Sequence, residues 1–130
     1  MSKKLKATGD CYQAAANLLM DNRFTRKIDF VGEPFLVHSE VAGQGFLEGI
    51  RYGHAWVEDD IFVYDYSNGR QLMLPKNYYY QLGDVKTQNP KKYRRYNMEE
   101  ARQKLLDTMH YGSWDTETDY GSGGKIRYSK

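Results

Sequence analysis

Three residues of this chain, Cys11, His54 and Asp65, combine the side-chain types and spacing that nucleophilic chemistry needs. Cys11 is the single cysteine of the sequence. Asp10 precedes it and Gln13 follows three residues after Asp10, a capping-box spacing, and the alanines and leucines up to Met20 have strong helix propensity. A helix is therefore expected to begin at Asp10, with Cys11 in its first turn and Ala15, Leu18 and Leu19 continuing the same face. Free backbone N–H groups and the positive end of the helix dipole stabilise a thiolate at such a place, and Gly9 allows backbone or substrate to approach closely. The plainer reading of Cys11 is a small buried hydrophobe under the helix start.

His54 and Asp65 fall in a stretch, Gly53 to Asp65, where apolar and polar residues alternate on both sides of Asp59-Asp60. This pattern predicts a β-hairpin with an acidic two-residue turn. With the turn centred on Asp59-Asp60, Glu58 faces Ile61, Trp56 faces Val63 and His54 faces Asp65. Cross-strand partners have Cβ atoms roughly 4.5–5.5 Å apart, close enough for a carboxylate to hold an imidazole N–H. An isolated His-Asp contact on a hairpin is ordinarily a surface feature. Joined to a cysteine at a helix start, it supplies the base and the orienter of a catalytic triad.

The segments Gly9-x-Cys11, Gly53-His54-Ala55-Trp56-Val57-Glu58 and Val63-Tyr64-Asp65-Tyr66-Ser67 resemble the three core motifs of the transglutaminase-like branch of the papain-like superfamily. The resemblance spans about residues 9 to 67, and its most specific part is the His-Ala-Trp-Val-Glu run. It implies a papain-like fold in which Cys11 attacks an acyl carbon, His54 is the base and Asp65 orients it. Two departures stand out. Only 54 − 11 = 43 residues separate cysteine and histidine, which makes this a minimal version. The glutamine that papain relatives place before the cysteine, to complete the oxyanion hole, has no counterpart among Lys3 to Asp10. The Cys11 backbone N–H and a donor from the Gly43-Gln44-Gly45 loop are the candidates for that role. Gln44, in that loop, and Trp56, on the His54 face of the strand, are the candidate substrate contacts.

The remaining elements frame these residues. Lys27 to Val31 and Phe35 to Ala42 read as strands, and the glycines at 43, 45 and 49 suit a cleft rim. His38 on the second of these strands is a rival base, a substrate contact or a polar residue that merely alternates. Ser67-Asn68-Gly69-Arg70 is a turn signal, Gln71 to Leu74 a short strand, and Pro75 to Leu82 a brief helix that must expose at least one of Tyr78, Tyr79 and Tyr80. Lys91 to Tyr96 interleaves cations with aromatics, the mark of a charge-protected edge strand or of a patch for nucleic acid or another acidic partner. Asn97 and Glu100 form a second capping box before a helix from Met98 to about Met109, with Ala101, Leu105, Leu106 and Met109 as its apolar residues. Residues 116–130 lack apolar periodicity and read as a tail.

At 130 residues, with 28% charged residues and a net charge of +2, the chain fits one domain, 1–115, followed by that tail, and its charge argues neither for nor against a polyanionic partner. No apolar run reaches membrane-spanning length, and the basic start, Met1 to Lys6, lacks the apolar stretch of a secretion signal. One cysteine excludes an internal disulfide and a thiolate-rich zinc site, so a cytoplasmic protein without metal or cofactor is expected. Twelve tyrosines suit wet clefts and interfaces. The expected fold is α+β: an N-terminal helix packed on a small antiparallel β-sheet, with a C-terminal helix. The expected function is cysteine-dependent acyl chemistry on an amide, isopeptide or ester of a peptide or protein substrate, with hydrolysis favoured over transfer to an amine. The alternatives are an inactive papain-like scaffold that binds proteins, and an accessory protein that binds nucleic acid through Lys91 to Tyr96.

Overall fold

Segments rich in β-branched and aromatic residues pair into one antiparallel sheet, and the alanine- and leucine-rich segments fold as helices against it. In the computed structural model, which describes residues 10–118, helices α1 (Cys11–Met20) and α2 (Asn22–Thr25) precede strands β1 (Phe35–Ala42), β2 (Arg51–Glu58), β3 (Phe62–Asp65) and β4 (Leu72–Pro75). Helix α3 (Lys76–Leu82), strand β5 (Tyr93–Asn97) and helix α4 (Met98–Thr108) complete the order. The sheet runs β4-β3-β2-β1-β5, with every neighbouring pair antiparallel. This is the expected α+β architecture. The basic leader with Gly9, and the tail beyond Thr118, lie outside the described residues.

Both faces of β2 are covered, which is why every residue from Gly53 to Glu58 is buried. On one face Ala55 and Val57 pack with Leu18 and Leu19 of α1, Leu36, Tyr96 and Ala101 of α4. Leu18 and Leu19 are fully buried, and each such burial contributes roughly 1.5–3 kcal/mol. On the other face Trp56 packs with Val37, Val41, Val63 and Tyr79 of α3. The cationic β5 lies at the sheet edge, as its charge suggested. Its cations are largely neutralised within the molecule: Arg95 lies 3.2 Å from Glu58, Arg94 3.8 Å from Asp115, and Lys92 of the preceding loop 3.4 Å from Glu40.

Several expectations need correction. The hairpin turn is centred on Asp60-Ile61, one residue later than expected, so Glu58 pairs with Val63 and Val57 with Tyr64. The cause is Asp59, wholly buried, whose carboxylate accepts from the N–H groups of Ile61 (2.9 Å), Phe62 (2.8 Å) and Val31 (2.8 Å) and from the Tyr64 hydroxyl (2.8 Å). Moving the turn centre by one residue changes each partner by two, so no side chain changes face. Lys27 to Val31 forms no strand; its Val31 is tied to the hairpin turn instead, and Ile28 and Phe30 pack on the core. Of the apolar residues expected on α4, Ala101 is buried, but Leu106 and Met109 are exposed. Tyr78 is the exposed member of the tyrosine triplet, and Tyr79 is buried. The docked chain also runs past residue 115: Thr116 is buried, and the Glu117 N–H donates to the Lys91 carbonyl (2.7 Å).

Candidate active site

The β2–β3 ladder consists of Val57↔Tyr64 and Glu58↔Val63, so the two strands part on the side of His54 and Asp65. Cys11, at the start of α1, stands beside that opening. Cys11 belongs to the core on the α1 face of the sheet, yet it lines one cleft together with His54 and Asp65. The three sequence-predicted chemical residues are thus brought together, each buried: Cys11 is 5% exposed, His54 9% and Asp65 2%. The two-residue register shift makes His54 and Asp65 diagonal rather than direct partners, still within side-chain reach.

His54 Nε2 lies 2.8 Å from Asp65 Oδ2. Cys11 is the other group that acts on this ring, and because Nε2 is engaged by Asp65, Nδ1 is the nitrogen left for the thiol. Burial alone would push the imidazole down; the charges of Asp65 and Cys11 and the bonds to both outweigh it and hold His54 well above its ordinary 6.5. Burial likewise works against the Asp65 anion, but the His54 charge and bonds from His54, Ser67 and Tyr79 hold its carboxyl well below the usual range. The Tyr79 hydroxyl donates to Oδ2 (2.7 Å), and Ser67 donates to Oδ1 from its hydroxyl (2.7 Å) and its N–H (3.1 Å). Burial and the Asp65 charge push the Tyr79 phenol well up, so it stays a donor.

The expected capping box on α1 is absent: Asp10 makes no side-chain cap bond, and its Oδ1 accepts instead from the Asn68 N–H (3.0 Å). Among the described residues no side chain caps the N–H groups of the first helical turn, Cys11 among them, and N–H groups at a helix start suit an anion.

Gln44 lines the cleft as expected, with its amide donating to the carbonyls of Leu82 (3.0 Å) and Ala42 (3.4 Å), so it braces the rim. Trp56 does not line the cleft. It is wholly buried behind the base, its ring 6.1 Å from that of His54 and its N–H on Glu58 Oε1 (2.9 Å), which replaces the expected substrate contact by a supporting one. His38 is no rival base: it is wholly buried among Tyr12, Tyr96 and Trp114 and lines no part of the cleft.

Sequence reasoning missed Tyr79 and Ser67. Ser67 carried a signal, since an Asp two residues before a Ser favours an Asx turn. Tyr79 carried none, standing in a triplet of identical residues fourteen positions away. Among the described residues no three His, Cys, Asp or Glu side chains converge as metal ligands, and no helix is long and apolar enough to cross a membrane. Comparison with protein-family models, with curated proteins and with solved structures returned no match.

Proposed function

We propose that this protein is a cysteine hydrolase acting on an amide, isopeptide or ester. The observation that carries the reading is the convergence of Cys11, His54 and Asp65 on one cleft, with the His54 ring hydrogen-bonded to Asp65. The Cys11 sulfur attacks the acyl carbon, and the developing oxyanion is met by the N–H groups at the start of α1. The C–N or C–O bond breaks, and the leaving amine or alcohol takes a proton from the His54 imidazolium. Water then attacks the thioester, giving its proton to His54, and the carboxylic acid leaves as the thiol site is restored. Asp65 keeps the ring in the orientation that points Nδ1 at sulfur and stays ionised throughout. The motif resemblance to the transglutaminase-like branch supports this reading. A reducing compartment, which keeps the lone thiol free, is the setting we assign to it.

The test is alkylation of the single cysteine by iodoacetamide at pH 6 in the wild type and in His54→Ala, with circular dichroism confirming that both are folded. The wild-type thiol is expected to react at least about tenfold faster. Equal rates would remove the thiol–imidazole pair and leave a scaffold that binds without chemistry.

A further inference from the structure

We propose that the substrate is an acidic peptide, and that Arg70 holds a carboxylate of it beside the carbonyl that Cys11 attacks. The proposal rests on the thiol reading above and names the substrate of that same site. Among the described residues Arg70 is the only lysine or arginine lining the cleft. Among the described residues no carboxylate lies within ion-pair distance of it, whereas Arg51, Lys76, Lys92, Arg94, Arg95 and Lys104 are all in internal ion pairs. Asp10, which lines a groove together with Arg70, accepts from the Asn68 N–H and makes no pair with Arg70.

The loop that presents Arg70 is built into the site. Asn68 and Gly69 are left-handed, φ 57° and 76°, a sharp reversal that asparagine and glycine tolerate. Ser67 ties the loop to Asp65, Asn68 ties it to the residue preceding Cys11, and the Arg70 N–H closes it onto the Ser67 carbonyl (3.1 Å). Arg70 is therefore positioned against both the nucleophile and the orienter of the base. Its long side chain has the donors to grip a carboxylate in two places.

The shape of the surface indicates an extended chain. The cleft itself measures about 230 Å³, below the range of pockets that swallow a whole small molecule, and carries apolar Leu47, Leu72 and Leu82. A second groove of about 410 Å³ runs between α1 and the 66–71 loop, lined by Gln13, Asn17 and Gln71, and Arg70 is the residue the two have in common. Side-chain amides offer both donors and acceptors, which is what a peptide backbone presents in return. A nucleic acid would call for many cations along the path, and among the described residues lining it there is one.

The test uses the full chain and the reactivity of Cys11 toward two reagents of nearly equal size, anionic iodoacetate and neutral iodoacetamide, at pH 7. The ratio of the two rates cancels any change in the thiol itself. Arg70→Gln is expected to lower the iodoacetate-to-iodoacetamide ratio about fivefold, the size of a good exposed ion pair. Arg70→Lys should keep most of the ratio, and Lys91→Gln, outside both grooves, should keep all of it. An unchanged ratio in Arg70→Gln, with Cys11 still reactive, overturns the role of Arg70 and leaves the triad standing. A thiol inert to both reagents overturns the triad reading, and this one with it. Two capped tetrapeptides, identical but for Glu against Gln, are then tested as protectants of Cys11 against iodoacetamide. Preferential protection by the Glu peptide supports an acidic peptide substrate; equal protection or none overturns it.

Discussion

Asp65 has no lone pair to spare: two donors meet Oδ2 and two meet Oδ1. A carboxylate so saturated is an orienter and counter-charge, never the base. In Asp65→Asn one end of the side chain becomes a donor facing donors, whichever way the amide turns, and the loss should be about 2 kcal/mol of stability in urea unfolding. The pH dependence of that loss has a definite sign. His54 is raised when folded, so its contribution is complete below about pH 6.5 and fades as the pH climbs through the folded value. Asp65 is depressed, so its contribution is complete above about pH 3.8 and fades as the pH falls through the folded value. The gap between wild type and Asp65→Asn should therefore be larger at pH 5.5 than at pH 3 or pH 9, and a flat gap would mean that the two are not an ion pair. Cys11, His54 and Asp65 were legible in the sequence because a helix start and a period of two fix where short-range neighbours point. Tyr79 was not, because what brings it to Asp65 is the path of α3 over the far face of the sheet.

Helix α4 and the hairpin show which element-level details a sequence discloses. The Asn97-Glu100 box forms as read, with both bonds in place at 2.8 and 2.9 Å, since both partners lie within one turn. The equally well-spaced Asp10 box does not form, because the carboxylate is taken by Asn68, 58 residues on. The strands were visible from their alternation, yet the hairpin register was not: the turn is set by Asp59, whose partners include Val31, 28 residues earlier. Two substitutions separate these cases. Asn97→Ala removes one cap and should cost about 1 kcal/mol. Asp59→Ala strips a buried carboxylate from three backbone N–H groups and a tyrosine hydroxyl and should cost about 3 kcal/mol. Urea midpoints of the two variants at pH 7 give the comparison, and equal costs would show Asp59 to be an ordinary solvated turn residue.

His38 is where the molecule closes on itself. The wholly buried ring on β1 meets Tyr12 of α1 at 4.8 Å, Tyr96 of β5 at 5.2 Å and Trp114 of the C-terminal segment at 4.9 Å, and Gly112 packs so close that a Cβ there would lie 2.6 Å from His38 Cε1. Neither ring nitrogen has a hydrogen-bond partner among the described residues. The charged groups around it are Asp115, whose field favours the imidazolium, and the cations Arg94 and Lys104 that Asp115 pairs with. Burial dominates, and the imidazole is pushed down from 6.5 to about 3. Unfolding lets His38 take a proton that the folded state refuses, so stability falls as the pH drops below about 6.5 and goes on falling to about 3. Across that range one proton of difference corresponds to about 1.4 kcal/mol per pH unit. His38→Leu, with no proton to take, should flatten the curve by that slope between pH 6 and pH 4, whatever it does to stability at pH 7. The comparison of slopes isolates His38 from the carboxylates that titrate in the same range, since those are common to both proteins. Parallel curves would mean that the buried ring protonates without unfolding.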